Sequence, residues 1–322
     1  MRFQLALFAI AASLLPLHAT QSFAQAWPQR PVRVILPLGP GSGADIGARL
    51  YADQLGKRWG RPVLVENRPG GDGMIAINAV LGARDDHTLL WGPTSAFVGH
   101  PYTLEKIPYD VRELLPVARV TSTVVSLAVP TSLNVGTLKE FMTLARERPG
   151  KFNWSSVTTI TDIVMEGYFK SAGLDLTKVN YKDGVVALTD LTEGRIQMYS
   201  SAYAIVRSQA QAGRIKLLAV MNRSRAPGLD LPTVAELGFP GLNFDGLVGI
   251  IAARSSAPND AARARIVADI AEISKDPAIL ERLTATAQLV IPGSGAEFAA
   301  SITEQTAQLA ATAKALGIKS IQ

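Results

Sequence analysis

Short apolar runs alternate along most of the chain with stretches in which apolar residues recur at helical spacing. The first such unit is an apolar strand at 32–37, a glycine-rich turn at 38–44 and a helix at 45–58. Strands that alternate with helices in this way are typical of an α/β fold with largely parallel strands. The pattern predicts further strands at 62–66, 88–91, 152–156, 195–200 and 214–221. It predicts further helices at 73–83, 137–148, 162–172, 184–193, 202–212, 258–273, 276–286 and 295–315, and a short one that starts at Thr233.

Two segments are predicted to connect the domains. They are the β-branched segment 115–129, interpreted as two strands, and the apolar segment 242–253. A chain of 322 residues also exceeds what one hydrophobic core usually organises. We therefore expect one lobe made of residues 27–122 plus 247–322 and a second lobe made of residues 123–246.

Residues 1–26 have the outline of a secretory signal peptide, with Arg2 near the start, then the apolar run LALFAIAASLL, then small and polar residues. Cleavage is expected after Ala24 or Ala26, and the apolar run is too short to span a membrane. The mature chain is therefore expected to be exported.

Composition excludes several classes of function. The chain has no cysteine, which excludes cysteine nucleophiles, thiolate zinc sites and iron–sulfur clusters. A net charge of +5 on a chain with 18% charged residues is not the clustered charge of a nucleic-acid-binding protein. Beyond the leader, histidine occurs only at His87 and His100. We predict neither a metal site nor a cofactor, and expect His87 to lie on the surface.

The turn at 38–45 is the strongest candidate for a ligand site. A strand-to-helix turn leaves backbone N–H groups unpaired at the positive end of a helix dipole, which favours a carboxylate or a phosphate. Gly41 and Gly43 accept positive φ and leave room for a ligand. Ser42 stands three residues before Asp45, so these two residues also have the spacing of a helix cap.

Seven collinear segments carry a family pattern: WPQRPVRVILPLGPGSGADIGARL at 27–50, RPVLVENRPGGDG at 61–73, IPYD at 107–110, RPGKFNWSS at 148–156, NYKDGVVALTDLTEG at 180–194, AGRIKLLAV at 212–220 and LPTVAELGFPG at 231–241. In these segments the chain resembles the solute receptors of tripartite tricarboxylate transporters, called Bug receptors. The resemblance implies a periplasmic binding protein of the type II-like, two-lobed α/β fold, with two mostly parallel sheets flanked by helices. It implies a monomer that binds a small organic acid between the lobes, delivers it to the membrane subunits of the transporter and catalyses no reaction.

The resemblance also implies which residues bind the ligand. The family's first ligand loop falls on residues 38–45, its second on residues 92–96 and its third on residues 156–161. Amides near Ser42 and Gly43 would hold a ligand carboxylate together with hydroxyls of the second loop. The candidate ligand-binding residues are Leu38, Gly41, Ser42, Gly43, Asp45, Thr94, Ser95, Ser156, Thr158, Thr159, Thr161, Ser201, Phe244 and Asp245.

The third loop departs from the family pattern because the family's glycines are replaced. Thr158, Thr159 and Thr161 would offer hydroxyls where the family offers backbone amides. After the strand at 195–200, Ser201 and Ala202 stand where the family often has an aspartate or an asparagine. An amino-acid ligand is therefore less expected.

A further departure lies near the second passage between the lobes. Leu247 stands where the family often has a tryptophan, with Phe244 and Asp245 just before it. A bulkier or more apolar acid would suit such a cleft. Core packing is the alternative role for Phe244 and Leu247.

Two other functions fit parts of the sequence. The glycines at 39–47, followed by Glu66 at the end of the next strand, imitate a dinucleotide-binding fingerprint, but their spacing is not G-x-G-x-x-G. A receptor that presents its ligand to a two-component sensor would have the same fold and the same cleft. His100 could approach the cleft, yet no G-x-S-x-G motif accompanies it, and a hydrolase is not predicted.

Overall fold

The structure is a computed structural model and describes residues 27–156, 158–181 and 184–321. The strands are β1 (Val32–Leu36), β2 (Val63–Asn67), β3 (Thr88–Pro93), β4 (Leu114–Thr123), β5 (Val125–Pro130), β6 (Phe152–Ser156), β7 (Leu176–Lys178), β8 (Met198–Ala202), β9 (Ile215–Val220), β10 (Gly246–Ala253) and β11 (Gln288–Ser294). The helices are α1 (Gly43–Trp59), α2 (Met74–Ala83), α3 (Ser95–Val98), α4 (His100–Thr103), α5 (Leu138–Glu147), α6 (Thr159–Ser171), α7 (Gly184–Thr192), α8 (Tyr203–Gln211), α9 (Asp260–Ile273), α10 (Pro277–Ala285) and α11 (Gly295–Leu316).

The strands form two sheets, and each sheet with its helices makes one lobe. The first sheet has the order β11-β4-β10-β3-β1-β2, and the second has the order β7-β6-β8-β5-β9. Strands β1, β2 and β3 are parallel, as are β6, β7 and β8, whereas β4, β5, β9, β10 and β11 join their neighbours in antiparallel pairs. Both sheets are therefore mixed, and the expectation of mostly parallel sheets is wrong. The antiparallel strands are those at or beside the two passages between the lobes.

Hydrophobic burial explains why the predicted strands form. All eight residues of β10 are buried, and this strand lies between β3 and β4 with helices on both faces of the sheet. A strand covered on both faces reads as a continuous apolar run, which is the pattern of its sequence, GLVGIIAA.

The structure differs from the prediction at one helix start, at one predicted helix and at two strands that were not predicted. Helix α6 starts at Thr159, three residues before the predicted start, because Thr158 caps it. No helix starts at Thr233: the reciprocal hydrogen bonds between Thr233 and Glu236 exist, but they close a turn. Strands β7 and β11 were not predicted, since β7 has only three residues and β11 contains a proline, a glycine and a bulge.

The passages between the sheets lie side by side and are tied together by one buried amide. Asn222 follows β9 and is fully buried. Its Oδ1 accepts a hydrogen bond from the Val125 amide at 2.9 Å, and its Nδ2 donates to Ser122 Oγ at 3.1 Å and to the Thr123 carbonyl at 3.0 Å. The end of β4 and the start of β5 are therefore held to the strand that leads back to the first sheet.

Helix α11 packs against α6 of the other lobe, so the hydrophobic core continues across both lobes. Ile160 and Val164 of α6 belong to the same buried cluster as Phe298 and Leu309 of α11. The backbones approach closely at Gly167, where a Cβ would overlap the Thr312 methyl group. The relative position of the lobes is set by this packing as well as by the passages.

Candidate functional site

A cleft of about 370 Å³ lies where loops from both sheets face each other. Its lining follows five parallel strands, β1, β2 and β3 of the first sheet and β6 and β7 of the second. Ligands in α/β folds bind at the carboxyl ends of parallel strands, because the loops there converge. The lining residues are Pro37, Leu38, Gly70, Asp72, Gly73, Pro93, Ser95, Ala96, Ser156, Thr158, Thr159, Asp162, Asn180 and Tyr181.

Helices begin at this cleft on both sides. Gly73 lines the cleft directly before α2, and Thr158 and Thr159 form the cap and first residue of α6. Helix α7 begins three residues after Tyr181. The positive ends of the α2 and α6 dipoles therefore lie at the cleft, an arrangement that favours a bound anion.

Two of the lining side chains are carboxylates, and Asp162 of the second sheet's side is neutralised by a partner. Lys178 Nζ lies 2.7 Å from Asp162 Oδ2, and Ser156 Oγ donates to Asp162 Oδ1 at 2.7 Å. Burial raises the pKa of Asp162, although the hydrogen bonds from Lys178 and Ser156 act to lower it. Both oxygens of this carboxylate are occupied by the protein.

The second carboxylate, Asp72, belongs to the loop between β2 and α2. Its backbone has φ 53° and ψ 36°, in the left-handed region that few residues other than glycine adopt. His100, fully buried, fixes that backbone: its Nε2 donates to the Asp72 carbonyl at 2.9 Å, and its Nδ1 lies 2.6 Å from the Tyr109 hydroxyl. His100 thus supports the wall of the cleft from behind.

Five candidate residues line the cleft: Leu38, Ser95, Ser156, Thr158 and Thr159. The hydroxyls of Ser156 and Thr158 bond within their own turn, to Asp162, Thr161 and the Thr158 carbonyl. Among the described residues, nothing hydrogen-bonds the hydroxyls of Ser95 and Thr159. These two hydroxyls are the ones available to a ligand.

The rest of the first loop does not reach the cleft. Ser42 caps α1 by accepting from the Asp45 amide at 3.3 Å, and the Gly41 amide donates to Asp45 Oδ2 at 2.9 Å. The buried Asp45 carboxylate, further bonded by Arg49 and by Asn67 Nδ2, fills the place that an external anion would take at this helix. A Cβ at Gly43 would overlap the Gln288 amide, so this glycine faces a side chain of β11.

Thr94, Thr161 and Ser201 are buried and serve the fold. Thr94 Oγ1 donates to Gln305 Oε1 of α11 at 2.6 Å. Thr161 is the third residue of α6 and completes the capping box with Thr158. Ser201 pairs with Ser126 of β5, because β8 extends to Ala202, and residues 200–204 do not line the cleft.

Phe244 and Asp245 lie away from the cleft. Phe244 is buried beside a space of about 20 Å³, which holds at most a water molecule, so its role is packing. Asp245 lines a separate cavity of about 350 Å³ near the passages, where its carboxylate accepts from the Arg223 amide at 3.2 Å. Leu247 is also buried there, and its carbonyl accepts from the Thr94 amide.

Two loops that line the cleft, those after β2 and β7, were not predicted from the sequence. Gly70, Asp72 and Gly73 follow β2, and Asn180 and Tyr181 follow β7. The RPGGDG turn after β2 was a usable signal, since three glycines around one acid are typical of a loop that approaches a ligand. The β7 loop had no comparable signal, because its strand is too short to be recognised.

The histidines are buried and hold loops in place. His87 is 5% exposed, and its Nε2 accepts from the Gln29 amide at 3.1 Å beside the ring of Trp27. The expectation of a surface His87 is therefore wrong. Within residues 27–156, 158–181 and 184–321, no group of three histidine or acidic side chains is arranged to hold a metal ion. In the same ranges no helix has the length and apolarity needed to cross a membrane.

A dinucleotide-binding site would need a free acid at Glu66 to bind a ribose, and Glu66 is already paired. Glu66, which would bind a ribose, accepts hydrogen bonds from Arg33 at 2.7 and 2.9 Å. The Gly41 amide before α1 donates to Asp45 Oδ2, and the Asp45 amide donates to Ser42 Oγ. Neither part of a dinucleotide fingerprint is therefore available.

Known proteins resemble this chain both in sequence and in fold. Residues 47–318 match the model of the tripartite tricarboxylate transporter family receptor, TctC. A UPF0065 protein of Bordetella bronchiseptica is 31% identical over 313 residues, covering 96% of this chain and 92% of its own, and the protein BugT of Bordetella pertussis is 30% identical over 223 residues, covering 67% and 68%. The structure of R. palustris Rpa4515 with adipate has a TM-score of 0.79 at 25% identity, covering 92% of this chain and 100% of its own. The periplasmic binding protein BugD has a TM-score of 0.74 at 22% identity, covering 91% and 99%.

Proposed function

Because the chain belongs to the receptor family of tripartite tricarboxylate transporters, we propose that it binds one small organic acid in the cleft between its lobes and delivers it to the membrane subunits of such a transporter. Receptors of this family are periplasmic solute-binding proteins, and the two-lobed α/β fold expected from the resemblance is confirmed by the structural neighbours. The neighbours whose names include adipate and malate give carboxylates as ligands of those proteins. We further propose that the chain acts as a monomer without catalytic activity, and that the leader is cleaved after Ala24 or Ala26, residues that lie outside the described ranges.

The convergence of helix starts on one cleft is the observation that carries this proposal. The starts of α2 and α6 and the side chains of Ser95 and Thr159 line the same space. A hydrogen bond to a charged group contributes about 1.5–3 kcal/mol. Three or four such bonds supply the roughly 8 kcal/mol that micromolar binding requires.

The division of the lining between two lobes supports capture by closure. Leu38 and Ser95 come from the first sheet, and Ser156 and Thr159 from the second. A solute that contacts both sides stabilises the state in which they face each other. That state is the form we propose for delivery to the membrane subunits.

A thermal-shift screen of residues 27–322 tests the function. The compounds are mono-, di- and tricarboxylates, aromatic acids, amino acids and nicotinamide nucleotides. A ligand at 100 times its Kd adds about 2.7 kcal/mol to stability, which raises the melting temperature by several degrees. We expect such a shift with a carboxylate class and none with the nucleotides. A shift with nucleotides alone would contradict the proposal.

Calorimetric titration of variants then tests the location. Thr159→Val and Ser95→Ala remove the two unpaired hydroxyls, and each is expected to weaken binding about 10- to 100-fold. Gly39→Ala is the matched control, since a Cβ at Gly39 meets no atom within 4 Å. Equal affinity in all three variants would place the ligand elsewhere.

A further inference from the structure

One carboxylate in the cleft has no Lys or Arg partner among the described residues. The Asp72 side chain is 48% exposed, and no Lys or Arg of those residues lies within ion-pair distance. The histidine that lies within this distance is His100, whose Nε2 is 4.0 Å from Asp72 Oδ2 and donates to the Asp72 carbonyl. Asp72 therefore lines the cleft with a carboxylate that no Lys or Arg of the described residues pairs with.

The backbone of Asp72 has a conformation that is uncommon for a residue other than glycine. It has φ 53° within a loop whose neighbours Gly70, Gly71 and Gly73 all have positive φ. A non-glycine residue in this region is uncommon and costs free energy that the surrounding structure must supply. Here His100 holds the Asp72 carbonyl with one hydrogen bond from Nε2, and the Tyr109 hydroxyl holds the imidazole through Nδ1. Strain of this kind is concentrated at ligand-binding and catalytic sites.

The acid on the opposite wall of the cleft, Asp162, has a basic partner. Asp162 is 15% exposed and pairs with Lys178, and both of its oxygens are occupied. The start of α6, with Thr158 and Thr159, therefore remains a favourable place for an anion. On the first sheet's side, the dipole of α2 is opposed by Asp72, two residues before the helix begins.

These observations divide the cleft into an anion-binding side and a cation-binding side. A ligand that carries only carboxylates gains at α6 and is repelled at Asp72. A ligand that also carries a positive group is attracted at both ends. The acid at Asp72 raises the affinity for this ligand and lowers the affinity for a ligand with carboxylates alone, and specificity is the difference between these two affinities.

We infer that Asp72 is a specificity-determining residue and that the ligand is a carboxylate that also bears an ammonium group, with its carboxylate at the start of α6 and its ammonium group at Asp72. This inference rests on the proposed function, since it concerns the same cleft. It goes against the expectation drawn from Ser201 and Ala202, because the acid that receives the ammonium group lies in a different loop.

Isothermal titration with matched ligand pairs tests the inference. Succinate is compared with aspartate, and adipate with 2-aminoadipate, so the members of each pair differ by the ammonium group. The mature chain is expected to bind the amino member of at least one pair at least 10-fold more tightly. Asp72→Asn, which keeps the size and tolerates left-handed φ, is expected to abolish that preference and to bind the member without nitrogen as well as or better than before.

Asp53→Asn is the matched control, because Asp53 is an exposed acid of α1 that does not line the cleft. It removes the same unit of charge and is expected to leave both affinities within twofold. A melting temperature of Asp72→Asn within 2 °C of the parent shows that the variant is folded.

The outcomes separate the two proposals. If the parent protein prefers the ligands without nitrogen, or if Asp72→Asn leaves the ratio of affinities unchanged, the inference about Asp72 is wrong while the carboxylate receptor stands. If no member of either pair and no other carboxylate binds, the proposed function fails, and the inference fails with it.

Discussion

The hydroxyl of Thr161 and that of Thr159 lie two residues apart but have different tasks, and a pair of substitutions separates them. Thr161 is fully buried, and its Oγ1 donates to the Thr158 carbonyl at 2.8 Å and accepts from the Thr158 amide at 3.3 Å. Thr159 lines the cleft, and its hydroxyl has no partner among the described residues. Threonine to valine keeps the shape of either side chain and removes only the hydroxyl.

The magnitude follows from the bonds that are lost. Thr161→Val breaks the half of the α6 capping box in which its hydroxyl accepts from the Thr158 amide, the bond to the Thr158 carbonyl and the 2.8 Å contact with Ser156 Oγ, and it keeps the bond from the Thr161 amide to Thr158 Oγ1. Buried hydrogen bonds contribute about 0.5–1.5 kcal/mol each. We expect Thr161→Val to lower the free energy of unfolding by about 2 kcal/mol. Thr159→Val breaks no bond within the protein and should change it by less than about 0.5 kcal/mol.

Urea unfolding followed by circular dichroism measures the stability, and titration with the carboxylate found in the screen measures the affinity. Thr159→Val should lose affinity at unchanged stability. Thr161→Val should lose stability, with a smaller loss of affinity that arises because the turn carrying Thr158 and Thr159 is less fixed. If both variants lose the same stability, or if Thr161→Val unfolds like the parent, the assignment of Thr161 to the cap is refuted.

Two further predictions concern the first loop. Gly43→Val should lower the free energy of unfolding by about 1–3 kcal/mol, because the new side chain displaces Gln288. Ligand affinity should change less than twofold, and urea unfolding and titration measure the two quantities. A large loss of affinity at full stability would mean that this loop binds the anion. Burial acts to raise the pKa of Asp45, but hydrogen bonds from Arg49, the Gly41 amide and Asn67 hold it below the ordinary value. The stability contributed by this lowered pKa is complete above about pH 4, the ordinary value of an aspartate, and is lost as the pH falls through the lower value of the folded state. Urea midpoints of the parent and of Asp45→Asn should therefore differ at pH 7 and approach each other in acid, and a constant difference would contradict this explanation.

Much of the fold was predictable from the chain alone, because burial leaves a local record. A strand covered on both faces is apolar throughout, as in β10, and a helix with one buried face repeats its apolar residues, as in α5, where Leu138, Phe141, Met142 and Ala145 are buried. The order of these elements and the passage through 115–129 were sufficient to predict two α/β lobes. Pairing left no such record, so the antiparallel joins of β4, β5, β10 and β11 were not predicted.

The candidate site was predictable only as a region. Glycines and hydroxyl residues after a strand mark a loop that could hold an anion, and the same residues are used to cap helices. Ser42 and Thr161 serve as caps, whereas Ser95 and Thr159 face the cleft. The sequence contains no signal that separates these roles, since both need a small polar residue near the start of a helix.

The sequence by itself determined the α/β architecture and the edge of the sheets at which the cleft forms, because both depend on periodicity along the chain, and its seven collinear segments determined the resemblance to the family. Tertiary structure alone decided which loop ends meet. Only the packing of the lobes brings Asp72 of one sheet and Thr159 of the other to the same cleft, and only the folding of the second lobe places Lys178 beside Asp162, while Asp72 has no Lys or Arg partner among the described residues. Charge compensation depends on distances in space between residues far apart in sequence, and for that reason the chain alone could not show it.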